Sequence, residues 1–339
     1  MILMGPHRIR LRHRPVRGAI VVPPFGTTRR LPWRWSESMK ISMHNWMRPE
    51  PVATTIDRLA RLGYDGIELA SAPDELDVRA VGRQLGSAGI ECAGTLALFL
   101  GGRDLLHEDS YVRKASLSYL LETIDLTAEL GGSFVTVPGT VGKIIPSGDV
   151  ADEWAWLTEA LRIADDRATS AGVRLAIEPL NRFETYLINR ADQARRLAAQ
   201  VGGTTGVCLD IFHMNIEEAD WRRAISDSAE QLINFHVADN NRMPPGQGAI
   251  DWDSLVKTLV DAGYDGWLSV EFMPAIDRLP SPARHMTDVS EVEGLSEGMR
   301  AWIRDHGSGV LDASDYDLYS ETSIRTLRSA LAHSIPVHH

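Results

Sequence analysis

The stretch Leu59–Ala70 is LARLGYDGIELA, and Leu259–Glu271 repeats it almost unchanged as LVDAGYDGWLSVE. Each copy begins as an amphipathic helix, passes a glycine and ends in a short apolar run. A glycine after a helix adopts the left-handed conformation that closes the helix end. The short apolar run that follows is typical of a strand buried on both faces. The repeat therefore predicts a helix–glycine–strand unit.

Shorter copies, such as SAGIECAG at Ser87–Gly94 and SAGVRLAIE at Ser170–Glu178, extend the pattern along the chain. Strands are predicted near residues 40–44, 66–70, 90–95, 133–138, 173–178, 205–210, 232–237 and 267–271, with helices between them and a last helix near 321–334. Eight alternating units predict a closed (β/α)8 TIM barrel of the α/β class. The alternative is a doubly wound open sheet, but SMHNWMRPEP after the first strand lacks the glycine-rich phosphate turn of that fold.

Two segments depart from the repeat. Residues 1–38 carry eight arginines and no acidic residue before Glu37, and we interpret them as a disordered leader or as the result of a start assigned upstream of Met39. Residues 39–339 are predicted to form a single barrel domain. Within it, residues 272–321 form a long segment between the eighth strand and the last helix, with a helical piece around 296–305. Loops of this length are typically functional, so we expect an inserted lobe that serves as a lid, a substrate-binding element or a subunit contact.

Composition narrows the class of function. The 339 residues are 44% hydrophobic and 24% charged, as in ordinary globular proteins, and the net charge of −11 argues against a nucleic-acid partner. No apolar run approaches the roughly 20 residues of a membrane span. Cys92 and Cys208 lie in apolar runs and are predicted to be small buried side chains. A cytoplasmic protein without a disulfide framework is therefore expected.

Polar residues close four successive apolar runs, in RLAIE, GVCLD, INFH and LSVE. These residues are Glu178, Asp210, His236 and Glu271. Chemistry in such barrels lies at the carboxyl ends of the strands, and a carboxylate buried there is costly unless it is paired or binds a metal. The four residues therefore predict a site for one divalent metal. Three carboxylates and one imidazole favour Mn, Mg or Co over a structural zinc.

The motifs around these residues resemble those of a known family. They are EPLNRFE at 178–184, DIFHMN at 210–215, HVADNNR at 236–242 and GYDGWLSVEF at 263–272. Together they resemble the xylose-isomerase-like barrel superfamily of sugar isomerases and epimerases, and are closest to its D-tagatose/D-psicose (ketose) 3-epimerases. The resemblance covers roughly residues 40–272 and the final helix.

The resemblance implies a metal-dependent isomerase or epimerase that acts on a small-molecule sugar. Its single ion, with Mn the first expectation and Mg or Co the alternatives, would be held by the four strand-end residues. It also implies that Glu178 and Glu271 exchange a proton next to a ketone through a cis-enediolate. By motif match, the implied substrate contacts are Glu184, His213 and Arg242.

His44 and Trp46, which follow the first strand, are further candidates for the lining of the pocket. For the assembly we expect a homo-oligomer without nucleic-acid or membrane partners.

Three features differ from the epimerase pattern: the leader, the first loop and the long segment after the eighth strand. A second resemblance accommodates a larger substrate. The catalytic subunit of C-glycoside deglycosidases uses a similar barrel and metal site, works with a small partner subunit, and begins with the same proton abstraction before elimination. A third alternative, a DNA-repair nuclease like endonuclease IV, requires a trinuclear zinc site with more histidines than this chain supplies in its motifs.

Overall fold

The computed structural model describes residues 39–140, 142–279 and 286–334. The predicted leader, residues 1–38, lies outside the described residues. Eight parallel strands hydrogen-bond in sequence order, and the last pairs with the first to close a barrel. The predicted (β/α)8 barrel is therefore confirmed and the open doubly wound sheet was the wrong alternative.

The barrel strands lie within one residue of their predicted positions. They are β1 (Lys40–His44), β2 (Gly66–Ala70), β3 (Glu91–Leu96), β4 (Phe134–Pro138), β5 (Arg174–Glu178), β6 (Gly206–Asp210), β7 (Leu232–Val237) and β8 (Trp267–Val270). Nearly all their residues are buried, because the helices cover the outer face of the barrel while strand side chains fill its interior. The continuous apolar runs in the sequence reflect this two-sided burial.

Helices surround the barrel. They are α1 (Val52–Leu62), α2 (Val78–Ala88), α3 (Ser110–Glu129), α4 (Val150–Ala171), α5 (Ala191–Val201), α6 (Ile211–Glu217), α7 (Trp221–Ser228), α8 (Trp252–Asp261), α9 (Glu297–Asp305) and α10 (Ala313–Ser334). Gly63 and Gly172 follow α1 and α4 with φ of 82° and 73°, as the repeat predicts. None of the helices in the described ranges has the length and apolar character needed to cross a membrane.

The last helix begins at Ala313, eight residues before its predicted start near residue 321. Its buried stripe includes Tyr316, Ser320 and Ser323. The two serines satisfy their hydroxyl groups by donating to carbonyls one turn earlier in the helix. Polar residues on the inner face hid the apolar periodicity from the sequence.

The described residues between β8 and α10 form a small lobe, which we define as residues 272–279 and 286–312. In it, β9 (Met286–Thr287) pairs antiparallel with β10 (Val310–Leu311), and α9 is the predicted helical piece. Because α10 begins at Ala313, the lobe ends nine residues earlier than the expected boundary at 321.

Two bulges interrupt the register of the barrel. Between β2 and β3 the pairing shifts after Ile67, so that Glu68 pairs with Gly94. Gly94 lies so close to β4 that an added Cβ would lie 2.5 Å from the carbonyl oxygen and ring of Phe134. Between β6 and β7 the pairing shifts after Val207. Bulges re-aim the side chains beside them, and both of these lie where polar side chains enter the barrel.

The close approach at Gly94 gives a first prediction. Gly94→Ala should lower the free energy of unfolding by about 1–3 kcal/mol, because the added methyl group meets backbone that cannot move without shifting β4. Gly86→Ala is the matched control, since Gly86 is exposed on α2 with no atom within 4 Å of the added Cβ. It should stabilise α2 by roughly 0.5–1 kcal/mol. Thermal and urea unfolding followed by circular dichroism measure both, and equal stability of the two variants would contradict the packing described here.

Candidate metal and active site

The four strand-end residues converge at one end of the barrel. Glu178 closes β5, Asp210 closes β6, His236 lies one residue before the end of β7, and Glu271 follows β8. One side-chain oxygen or nitrogen from each lies within 4.8 Å of those from the other three. All four side chains are buried. Adjacent parallel strands present their carboxyl ends side by side, which is why residues far apart in sequence meet here.

One ring nitrogen of His236 faces both glutamates. Its Nδ1 is 3.0 Å from Glu178 Oε1 and 3.4 Å from Glu271 Oε2. Its other nitrogen, Nε2, faces the interior of the barrel. Nδ1 is therefore the ring atom available to a shared ion.

Asp210 divides its two oxygens between two functions. Oδ1 accepts the backbone N–H of Phe212 and so caps α6, the helix that begins directly after the strand. Oδ2 is buried and has no hydrogen-bond partner among the described residues. His213 Nε2, also without a partner there, lies 3.5 Å from it. A buried carboxylate oxygen left unpaired is costly, so this donor set fits a cation.

The two glutamates differ in proton affinity. Burial raises the pKa of Glu178 to about 7, against the opposing attraction of His236. Burial also acts to raise the pKa of Glu271, but the facing rings of His44 and His236 and the guanidinium of Arg242 outweigh it and hold that pKa well below the ordinary value. The pKa values of two carboxyl groups in one pocket are thus shifted in opposite directions.

The three residues predicted to contact substrate form one buried cluster beside the glutamates. Arg242 donates from Nη1 to Glu184 Oε1 over 2.8 Å, and its Nη2 lies 3.8 Å from Glu271 Oε2. His213 Nδ1 accepts the backbone N–H of Asn181 over 3.2 Å. Arg242 has a φ of 58° and is the only non-glycine with positive φ in the described part of the chain. Such strain is characteristic of functional sites.

Asn181 was not predicted, although it lies in the quoted EPLNRFE motif. Its side-chain amide donates to Glu184 Oε1 over 2.7 Å and lies 2.8 Å from His213 Nδ1. It therefore connects two of the predicted substrate contacts. A buried amide between them was not apparent from spacing alone.

The two residues suggested after β1 have different positions. Trp46 donates from its indole nitrogen to Glu271 Oε1 over 3.1 Å and so belongs to the site. His44 is fully buried beneath it, with Nε2 3.3 Å from the same atom of His236. Burial lowers the pKa of His44 despite the nearby carboxylates.

Glu68 was missed by the sequence interpretation. It lies in the middle of β2, fully buried, with Oε1 3.3 Å from His236 Nε2. Thr136 and Asn234 donate to its two oxygens over 2.7 and 2.8 Å. The rings of His44 and His236 overcome the effect of burial and lower the pKa of Glu68 to about 2. The sign that could have revealed it was a carboxylate inside an apolar strand run, GIELA.

The lobe also reaches the site, as a lid or substrate-binding element would, but the residues that make the contact were not predicted. His306, just after α9, places Nε2 3.1 Å from Glu184 Oε2. The ring of Trp302, one turn earlier, lies 4.1 Å from that of His306 and 6.0 Å from that of Trp46.

Comparison with known proteins identifies the family of the chain. Residues 56–306 match the family described as the xylose isomerase-like TIM barrel. A ketose 3-epimerase from Arthrobacter globiformis is 30% identical over 281 residues, which are 79% of this chain and 96% of that protein. The 3-dehydro-D-guloside 4-epimerase of Escherichia coli is 26% identical over 69% of this chain and 92% of its own length.

Among solved structures, the D-psicose 3-epimerase of Clostridium cellulolyticum H10 with D-tagatose superposes with a TM-score of 0.70 at 22% identity, covering 86% of this chain and 99% of that one. The apo form of 3-keto-D-glucoside 4-epimerase from E. coli gives 0.69 at 22% identity, covering 86% and 100%. These structures share the fold. The sequence relatives confirm the predicted class, carbohydrate isomerase or epimerase. The chain belongs to the xylose isomerase-like TIM barrel family.

Proposed function

We propose that this protein is a metal-dependent sugar epimerase that inverts a carbon next to a ketone, with a ketose as substrate and C3 as the reacting carbon. The observation that carries the proposal is the pair of buried glutamates, Glu178 and Glu271, which both lie within 3.4 Å of His236 Nδ1. The ketose 3-epimerases among the relatives support the same reaction.

A divalent ion is proposed at Glu178, Asp210, His236 and Glu271, with Mn first and Mg or Co as alternatives. The donor set is mostly hard oxygen, which suits these ions. The unpaired Asp210 Oδ2 and the concentration of buried carboxylates support an ion at this position. When bound, such an ion supplies a Lewis acid that polarises a substrate carbonyl and stabilises negative charge on the neighbouring oxygen.

The two glutamates are proposed as the acid–base pair. Inversion at carbon requires that a proton leave one face and that a proton return to the opposite face. Their environments differ before an ion binds, since the pKa of Glu178 is raised and that of Glu271 is lowered. The sugar determines which glutamate acts first. Arg242 and Glu184 are proposed to orient substrate hydroxyls, and His213 to contact the sugar near the reacting carbon.

A keto-glycoside is the second candidate substrate. Two observations favour it: the lobe adds residues to the site, and the relatives include a 3-dehydro-D-guloside 4-epimerase. Proton abstraction next to the ketone is the same step for both substrates. It is also the first step of the deglycosidase alternative, in which an aglycone then leaves.

Deuterium exchange distinguishes these candidates. Purified protein with Mn²⁺ is incubated in deuterated water with ketohexoses, including D-tagatose and D-psicose, and with a 3-keto-glucoside and a 3-oxo C-glycoside. Deuterium at C3 with formation of the epimer supports the ketose proposal. If deuterium enters only the 3-keto-glucoside, next to its ketone, the substrate is a keto-glycoside. If the only product is the aglycone released from the C-glycoside, the protein is the lyase.

The acid–base assignment predicts the effect of removing either charge. Glu178→Gln and Glu271→Gln should each lower kcat by at least ~100-fold, because each removes both a proton-transfer group and an anionic ligand. Glu91→Gln is the control, since Glu91 is exposed at the opposite end of the barrel, where β3 begins. Deuterium exchange and kcat measure the effect. Wild-type rates in either site variant would show that the mechanism is incorrect.

Glu68 is proposed as a positioning residue for the metal ligand His236. Since its carboxylate lies 3.3 Å from Nε2, it favours the tautomer with a proton on that atom. The lone pair of Nδ1 is then directed toward the glutamates. A carboxylate behind a metal-binding histidine fixes the ring and raises its basicity. The hydrogen bonds from Thr136 and Asn234 in turn hold Glu68 in place.

Removing this charge should weaken metal binding even without turnover. Glu68→Gln is expected to lower the affinity of the metal-stripped protein for Mn²⁺ by roughly 10–100-fold, measured by isothermal titration calorimetry. Thr136→Val, which removes one hydrogen bond to Glu68, should have a smaller effect in the same direction, and Glu91→Gln none. An affinity within twofold of wild type in folded Glu68→Gln protein would contradict the positioning role.

A further inference from the structure

The lobe crosses the mouth of the barrel on one face of α9. Three residues at helical spacing, Gly298, Trp302 and His306, contact loops that follow three different strands. An added Cβ on Gly298 would lie 3.1 Å from Leu100 Cβ and from the backbone nitrogen of Gly101, after β3. Residues four apart lie on one side of a helix, so these three form a single stripe. We call this stripe the roof.

Trp302, in the middle of the roof, is connected to Glu271 through Trp46. Trp302 contacts the ring of Trp46 edge-on at 6.0 Å, and Trp46 donates to Glu271 Oε1 over 3.1 Å. Trp302 is only partly buried, so part of its indole remains available for contact. An aromatic face beside a polar pocket is well suited to pack against the C–H face of a sugar.

His306, at the end of the roof, is connected to Glu271 by a second series of contacts. His306 faces Glu184, Glu184 accepts from Arg242 over 2.8 Å, and Arg242 lies 3.8 Å from Glu271. The tautomer of His306 is determined by its other nitrogen. Nδ1 lies 2.6 Å from the carbonyl oxygen of Trp302, which can only accept, so Nδ1 carries a proton.

The other ring nitrogen of His306, Nε2, faces Glu184. It lies 3.1 Å from the buried Oε2, and neither atom has a hydrogen-bond partner elsewhere among the described residues. The contact between these two atoms joins the end of α9 to the barrel across the boundary of the lobe.

We propose that Trp302 and His306 complete the site: His306 latches α9 to Glu184, and both residues contact the end of the sugar remote from the two acids. This inference rests on the proposed function for the identity of the substrate only.

The first test needs no turnover. Amide hydrogen exchange is followed by mass spectrometry in the substrate-free protein. His306→Ala should speed exchange in α9 by about tenfold, the effect expected for the loss of one buried polar contact, while exchange in β5–β8 stays unchanged. Asp305→Ala, an exposed neighbour on the same helix, is the control and should match wild type. Unchanged exchange in α9 of His306→Ala overturns the latch, whether or not any ketose is a substrate.

The second test uses D-tagatose with the Mn²⁺-loaded protein. Trp302→Ala and His306→Ala should raise KM about tenfold with kcat within threefold, because contacts remote from the reacting carbon act equally on the bound and transition states. His306→Gln, whose amide can donate to Glu184, should restore most of the loss. D-tagatose should also slow exchange in α9 of the wild type.

The outcomes separate the two proposals. A fall in kcat without a change in KM, or no protection of α9 by the sugar, overturns the substrate contact. No deuterium exchange at C3 of D-tagatose in the wild type counts against the proposed function and leaves the result for the latch to stand by itself.

Discussion

The concentration of negative charge at the carboxyl end of the barrel is the constraint on which the rest of the site depends. Glu178, Asp210 and Glu271 are buried within a few ångströms of one another, where water cannot screen them. Such an arrangement is costly unless a cation or proton compensates it. The raised pKa of Glu178, the unpaired oxygen of Asp210 and the guanidinium of Arg242 are different consequences of that requirement. An ion at the centre would satisfy all of them together.

The interior of the barrel is shaped to hold this charge in place. Glu68 and Asn234 both follow register shifts, in β2 and at the pairing of β7 with β6, and they hydrogen-bond to one another across the barrel. Ser269 donates to Asn234 over 3.1 Å and contacts Ser42 at 2.7 Å, which extends the polar layer to neighbouring strands. The hydrogen bonds of this layer hold Glu68 in place beside the ring of His236. The architecture below the site therefore contributes to the geometry above it.

The sequence predicted those parts that depend on local pattern. Burial on both faces makes each strand a continuous apolar run. A polar residue at the end of such a run, such as Glu178 or Asp210, is therefore easy to recognise in the sequence. Glu68 escaped because it lies inside its run and acts through partners on β4 and β7, 68 and 166 residues away. The start of α10 was missed because Ser320 and Ser323 place hydroxyl groups on its buried face. Contacts over such separations have no local pattern, so only the closed barrel reveals them.

The contacts of the lobe with the site also join residues that are far apart in sequence. Its sequence has no repeat, and only one helix was predicted in it. Along that helix and just after it, Gly298, Trp302 and His306 are spaced four residues apart and face the mouth of the barrel. The small residue allows the close approach to the loop after β3, the indole contacts Trp46, and the imidazole meets Glu184. A series of contacts between charged and polar side chains thus connects Glu271 through Arg242 and Glu184 to His306 of the lobe. Both routes from α9 end at Glu271, one through Trp46 and the other through Glu184 and Arg242. The strand ends of the barrel and the lobe thus contribute separate sets of side chains to one site.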